Sequence, residues 1–180
     1  MNEIEEVDNP MAMNIIENIS LCRLGGFVGS NPEVISSVLP ISNTEEKALL
    51  CKALPEGTEP NTYILEKLNN KYILSYTFTI KSTDADVRDD LASIALVIPD
   101  KKVNIEDFKI LFKLVMDSFK DEMETINLEK MKYMVERIYN GINKGEKISV
   151  ENVSVDVQSI VSKKKLKILT EVEKIAGRIF

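Results

Sequence analysis

Residues 91 to 98 read Leu-Ala-Ser-Ile-Ala-Leu-Val-Ile, and no other segment limits the fold of this chain so strongly. As a strand the run is apolar on both sides apart from Ser93, so it requires cover on both faces and belongs in the middle of a sheet. The segment before it behaves differently. Tyr72, Leu74, Tyr76, Phe78 and Ile80 fall on one side of a strand, and Lys71, Ile73, Ser75, Thr77, Thr79 and Lys81 on the other. Period two predicts a strand with one covered face and one largely wet face. Beyond the apolar run, Ile105, Phe108, Phe112, Val115 and Phe119 recur at steps of three and four, the stripe of a helix packed on a sheet, with Asn104 placed to cap it.

The flanking sequence fills in the rest. Ile19–Val28 and Val34–Leu39 predict a hairpin around Gly29, Ser30, Asn31 and Pro32, with Gly25 and Gly26 marking a bulge. Ser42 and Glu45 have capping-box spacing and predict a helix through Leu54, ended by Pro55 and Gly57. Thr62–Leu68 reads as a strand joined to the next by Asn69 and Asn70, residues that tolerate a left-handed backbone. A further stripe, Leu128, Met131, Val135, Ile138 and Ile142, predicts a helix stopping at Gly145. Ile148 and Val150, then Val153, Val155 and Val157, alternate with polar residues, but the phase slips at Asn152. A cluster of Lys163, Lys164, Lys165 and Lys167 precedes a closing helix expected through Ile168, Val172, Ile175 and Ile179. The organisation expected is a mobile acidic tail over residues 1–14, one α+β domain over 15–143, and a C-terminal extension over 144–180.

Composition narrows the chemistry. The formal net charge of -6 opposes non-specific binding to phosphates and wholesale adhesion to an anionic membrane. Histidine is absent, which removes the usual neutral-pH general base and the commonest metal ligand. The two cysteines, Cys22 and Cys51, fit no zinc spacing and no disulfide framework, and read as small buried thiols in a reducing cytoplasm. No apolar run approaches the roughly 20 residues of a membrane helix. No nucleophile with a base, phosphate loop or metal cluster is legible, so the expectation is a non-enzymatic protein with no cofactor and no metal. Carboxylate pairs occur, but a chain with 29 acidic residues supplies them by chance.

The element order, a hairpin, a helix, three strands and two helices, resembles the longin fold: a mostly antiparallel five-stranded sheet with one helix on one face and two on the other. The turn Gly29-Ser30-Asn31-Pro32-Glu33-Val34-Ile35 is similar to the Gly-Pro-x-Ile type turn between the first two longin strands, with Asn31 where glycine is common. Arg88-Asp89-Asp90-Leu91-Ala92-Ser93-Ile94-Ala95-Leu96 is similar to the Arg-led entry to the fifth strand. The likeness covers residues 17 to 143 and is strongest to longin modules of DENN-type and related small-GTPase regulators, and to archaeal longin-like proteins. It implies a cytoplasmic, non-catalytic scaffold in trafficking or signalling that binds a small GTPase and pairs with a longin or roadblock domain or with itself. It also implies peripheral contact with internal membranes, while the net charge gives the expectation of no nucleic-acid partner.

Under that resemblance the expected partner-binding residues are Val34 and Ser36 on one sheet edge, Thr62 and Ile64 on the other, and the turn Arg88, Asp89 and Asp90. Lys163, Lys164, Lys165 and Lys167 are the expected lipid or partner contacts. Each has a plainer reading. A helix or tail could cover either edge, the Arg88 turn could be a solvated loop with weak ion pairs, and the lysines could be a solvated helix start on the unfavourable end of its dipole. Other functions compete: a PAS- or profilin-like small-molecule sensor, which needs a roomy pocket between helices and sheet and is opposed by the dense Phe108, Phe112 and Phe119 packing, a general protein-binding domain, and an enzyme whose residues are not recognisable.

Overall fold

In the computed structural model of the chain, residues 15–82, 84–100 and 103–169 are described. The elements are β1 (Asn18–Leu24), β2 (Glu33–Ser37), α1 (Asn43–Ala53), β3 (Tyr63–Leu68), β4 (Lys71–Ile80) and β5 (Asp90–Pro99), then α2 (Ile105–Met123), α3 (Leu128–Lys144), β6 (Ile148–Val150), β7 (Val153–Val155) and α4 (Val157–Lys164). The fold is α+β: one five-stranded sheet of order β2-β1-β5-β4-β3 and a separate β6-β7 hairpin. Every pairing between these strands is antiparallel.

β5 lies at the centre of the sheet, flanked by β1 and β4, as its two-sided apolarity requires. Ala92, Ile94, Leu96 and Ile98 point into the larger core with Leu74, Tyr76 and Phe78. α2 and α3 close that face with Phe108, Leu111, Phe112, Val115, Phe119, Met131, Val135, Ile138 and Ile142. Burial of side chains of this size stabilises by about 1.5–3 kcal/mol each, so this layer dominates the stability. On the opposite face Cys22, Ile73 and Ala95 pack under Leu49, Leu50, Ala53 and Leu54 of α1 and its C-cap.

That second layer corrects the expectation of a wet face on β4. Ser75 and Thr77 are fully buried beneath the α1 layer. The Ser75 hydroxyl donates to the Ala53 carbonyl (3.3 Å) and the Thr77 hydroxyl to the Glu59 carbonyl (2.7 Å). Ser75 and Thr77 thus fill covered positions with both hydroxyls paired.

Helix ends follow local chemistry. Ser42 and Glu45 form a complete capping box, Asn104 and Asn127 cap α2 and α3, and Gly145 ends α3 in the left-handed region at φ 69°. β1 stops at Leu24, short of the expected Val28, because Gly25 to Ser30 leave the sheet.

The C-terminal extension differs most from expectation. The phase slip at Asn152 is a tight turn with Glu151 at φ 50°, and Val157 begins α4 and does not continue a strand. Ile148, Val150, Val155, Val157 and Ile168 all join the larger core, so residues 148–168 share the core of the preceding domain. At the other end, buried Asn143 of α3 accepts from Ile16 N and donates to Ile16 O, both at 2.8 Å. The expected acidic tail over 1–14, and Val172, Ile175 and Ile179 of the expected closing helix, lie outside the described residues.

Candidate partner-binding surfaces

The two outer strands of the sheet are β2 and β3, the edges expected from sequence, but they are unlike each other. On β2, the bond from Val38 N to Ile19 O fixes the phase of pairing, so Ser36 ladders with Leu21. Between Ser36 and Val34 the register shifts, leaving Ile35 as an extra residue. The outward Val34 N–H donates to the Glu46 carboxylate of α1 at 3.4 Å. The β2 edge is therefore short, irregular and partly capped.

β3 runs for six residues in regular register with β4. The bond from Thr77 N to Thr62 O sets its phase. Alternation then makes Ile64, Glu66 and Leu68 ladder with β4, while Tyr63, Leu65 and Lys67 direct their N–H and C=O away from the sheet. Among the described residues none hydrogen-bonds to that outward side. Thr62 and Ile64, the positions expected to bind, have their backbone groups engaged inside the sheet: Thr62 N donates to Thr77 Oγ1 at 3.1 Å. The open groups belong to their neighbours, a difference of one residue that apolar patterning alone does not resolve.

Beside β3 a groove of about 320 Å³ runs along α2, lined by Tyr63, Leu74, Glu106, Lys109, Ile110 and Lys113. Its wall is stiffened by a polar network. Tyr63 Oη donates to Asp117 Oδ1 at 3.0 Å, and Lys120 Nζ meets the same oxygen at 2.8 Å. Burial, then the bond to Asp117, pushes the Tyr63 phenol far above its ordinary range. Asp117 is partly desolvated, which opposes ionisation, but bonds from Lys120 and Tyr63 outweigh this and hold its carboxyl below the usual value. The Tyr63 and Tyr76 rings lie 4.7 Å apart and Tyr76 Oη donates to Asn61 Oδ1 at 3.0 Å, so the start of β3 is clamped to β4.

A second surface lies at the end of the sheet where the β1–β2 and β4–β5 loops meet. Arg88 and Asp89 are exposed and Asp90 is half-buried as the first residue of β5. Asp90 Oδ1 accepts from Gly26 N at 2.9 Å, Asp90 Oδ2 lies 3.9 Å from Arg23 Nε, and Asp89 Oδ1 accepts from Ser82 N at 3.0 Å. The expected trio is thus divided: Asp90 fastens the two loops together, while Arg88 and Asp89 face solvent. Phe27 and Val28 stand on the same end, exposed, because they ride on a turn and not on the strand expected for them.

Lys163, Lys164, Lys165 and Lys167 are all exposed. They stand at the C-terminal end of α4 and just past it; the part of the expected closing helix beyond Leu169 lies outside the described residues. Lys163 and Lys164 therefore complement the dipole of α4, a helix that sequence patterning did not single out. Lys165 caps the helix in the left-handed region, and Lys167 N donates to Asp107 Oδ2 at 2.7 Å, joining this segment to the first turn of α2.

A cavity of about 330 Å³ opens on the α1 face, at the sheet end away from the Arg88 loop. Leu49, Leu68, Ile73 and Val97 line it, and Glu17 and Lys71, which form an ion pair, stand at its rim. The pocket expected of a sensor therefore has a counterpart, on the face opposite the phenylalanine-rich layer. Among the described residues no group of three or more Cys, Asp or Glu side chains is arranged to hold a metal. No helix of the described residues is long and apolar enough to cross a membrane. No protein-family model matches this chain, and no curated protein matches it in a sequence search.

Proposed function

We propose that this chain is a non-catalytic, longin-like interaction module. It binds a small GTPase and pairs along β3 with a second longin or roadblock domain, or with a second copy of itself, in a trafficking or signalling scaffold. The observation that carries this reading is the asymmetry of the sheet: β2 is partly capped, whereas β3 presents a regular row of outward backbone groups beside an apolar-walled groove. An edge of that kind is a template for strand addition.

The test joins two measurements. Sedimentation analysis of the full chain reads self-pairing, and affinity capture from native extract, loaded with GDP or with a non-hydrolysable GTP analogue, reads the partners. Pairing or capture should be lost in Lys67→Pro, which removes an outward N–H from an edge strand and leaves the β4 ladder intact. A monomer that recovers neither a GTPase nor a longin or roadblock domain under either nucleotide overturns the reading.

The α1-face cavity favours a second reading, a small-molecule sensor, since its volume falls within the range of ligand pockets and its wall is apolar with a few polar groups at the rim. Ligand-induced melting shifts that vanish in Val97→Phe would support it, and their absence across a metabolite panel would remove it.

A further inference from the structure

We propose that the loop-bearing end of the sheet, around Phe27, Val28 and Val87, is a docking surface for a basic amphipathic segment of a partner protein. This surface is separate from the β3 edge and does not depend on what β3 pairs with.

Three large apolar side chains are exposed here: Val28 at 103%, Phe27 at 65% and Val87 at 40%. Scattered exposed apolar residues are ordinary, but these stand on two loops that the fold holds together. An ideal Cβ at Gly26 would lie 2.2 Å from the Arg88 carbonyl oxygen and 2.7 Å from that of Asp89, so only glycine admits this approach. The Asp90 carboxylate then receives Gly26 N. Arg23 bonds Glu33 at 2.7 Å, which ties the base of the same hairpin. The Phe27–Val28 tip is therefore a held projection, and its apolar surface has no cover among the described residues.

Charge decides the occupant. The β4–β5 loop carries Asp84, Asp86, Asp89 and Asp90 against Lys81 and Arg88. Asp84, Asp86 and Asp89 are exposed, and each still has carboxylate lone pairs to offer although two accept bonds within the loop. Four carboxylates against two cations leave the rim with a negative balance, which disfavours nucleic acid and anionic lipid. A wholly apolar segment would leave the carboxylates without counterparts. A segment with leucine-like side chains on one face and lysine or arginine on the other satisfies both parts of the surface, and the charge pairing would steer its approach.

The probe is a synthetic helical peptide of leucine and lysine, compared with the same peptide carrying glutamate for lysine, and with phosphatidylcholine and phosphatidylserine vesicles. Binding to the full chain is followed by calorimetry and by backbone amide shifts. The lysine peptide should bind and perturb residues 25–30 and 84–90. The double variant Phe27→Ser, Val28→Ser should weaken it about tenfold or more. Asp84→Asn, Asp86→Asn, Asp89→Asn should weaken it several-fold and flatten its dependence on salt. Tyr133→Ser, which removes an exposed aromatic elsewhere, should leave it unchanged. The replaced Phe27 and Val28 are exposed, so an unchanged melting profile verifies the fold of that double variant. Equal binding of the glutamate peptide, binding indifferent to both sets of variants, stronger binding to either vesicle, or no binding overturns the proposal. None of these outcomes bears on pairing through β3, which sedimentation reads independently.

Discussion

Alanine at position 26 would bring its Cβ to 2.2 Å from the Arg88 carbonyl oxygen, a clash with backbone that no side-chain rotation relieves. Gly26→Ala should therefore destabilise by about 1–3 kcal/mol in urea titrations and loosen the loop end at the same time. The two cysteines make a second contrast at this scale. Cys22 is fully buried against the α1 layer, and that burial pushes its thiol up to about 12, whereas Cys51 is exposed on α1. A thiol reagent at neutral pH should label Cys51 promptly and Cys22 only on unfolding, read by mass spectrometry with and without denaturant. The sequence expectation of two buried thiols holds for Cys22 and fails for Cys51, which falls on the outer side of its helix. Caps were legible because they are local: Ser42, Asn104 and Gly145 each act on a backbone group within a turn of themselves. The exposure of Phe27 and Val28 was not legible, since an apolar pair beside a strand reads as more strand until the chain's path is known.

Among the elements, the junction of β3 and α2 has a defined response to pH. The Asp117 value is depressed in the folded chain, so its contribution is present above the unfolded value and is lost as pH falls through the folded one. Lys120 is raised by the same contact, so its contribution is present below its unfolded value and is lost as pH climbs through the raised one. The pair is thus fully formed from about pH 4 to about pH 10. Its side chains are 40% and 38% exposed, so solvent screening limits the effect to less than about 1 kcal/mol. Asp117→Asn should remove a small part of the acid limb of stability below about pH 4, measured by urea titration across pH. Sequence periodicity placed every strand and helix of the main sheet layer in order, because each buries one repeating set of side chains. It assigned β4 a wet face because serine and threonine look solvated in a pattern. Only the α1 layer, whose Ala53 carbonyl receives Ser75, reveals that the position is covered.

Across the whole molecule, residues 145–169 behave as part of the domain and not as an appendage. Five side chains, Ile148, Val150, Val155, Val157 and Ile168, are buried in the common core. At about 1.5–3 kcal/mol each, their loss rivals the entire stability of an ordinary domain. A chain ending at Lys144 should therefore lack a cooperative melting transition and aggregate, as scanning calorimetry and light scattering would record. That dependence was hidden in the sequence, because two three-residue strands give only a brief alternation that slips phase at Asn152, and an eight-residue helix is too short for a clear stripe. The sheet's unequal flanks have a consequence for growth. With Glu46 lodged against Val34 and Ile35 bulging from the register, one margin resists extension, while on the other Tyr63, Leu65 and Lys67 turn their backbone groups outward. A ribbon needs two willing margins, so two molecules joined face to face at their receptive sides would present only reluctant ones, and the assembly would halt as a finite pair before it could lengthen into a fibre.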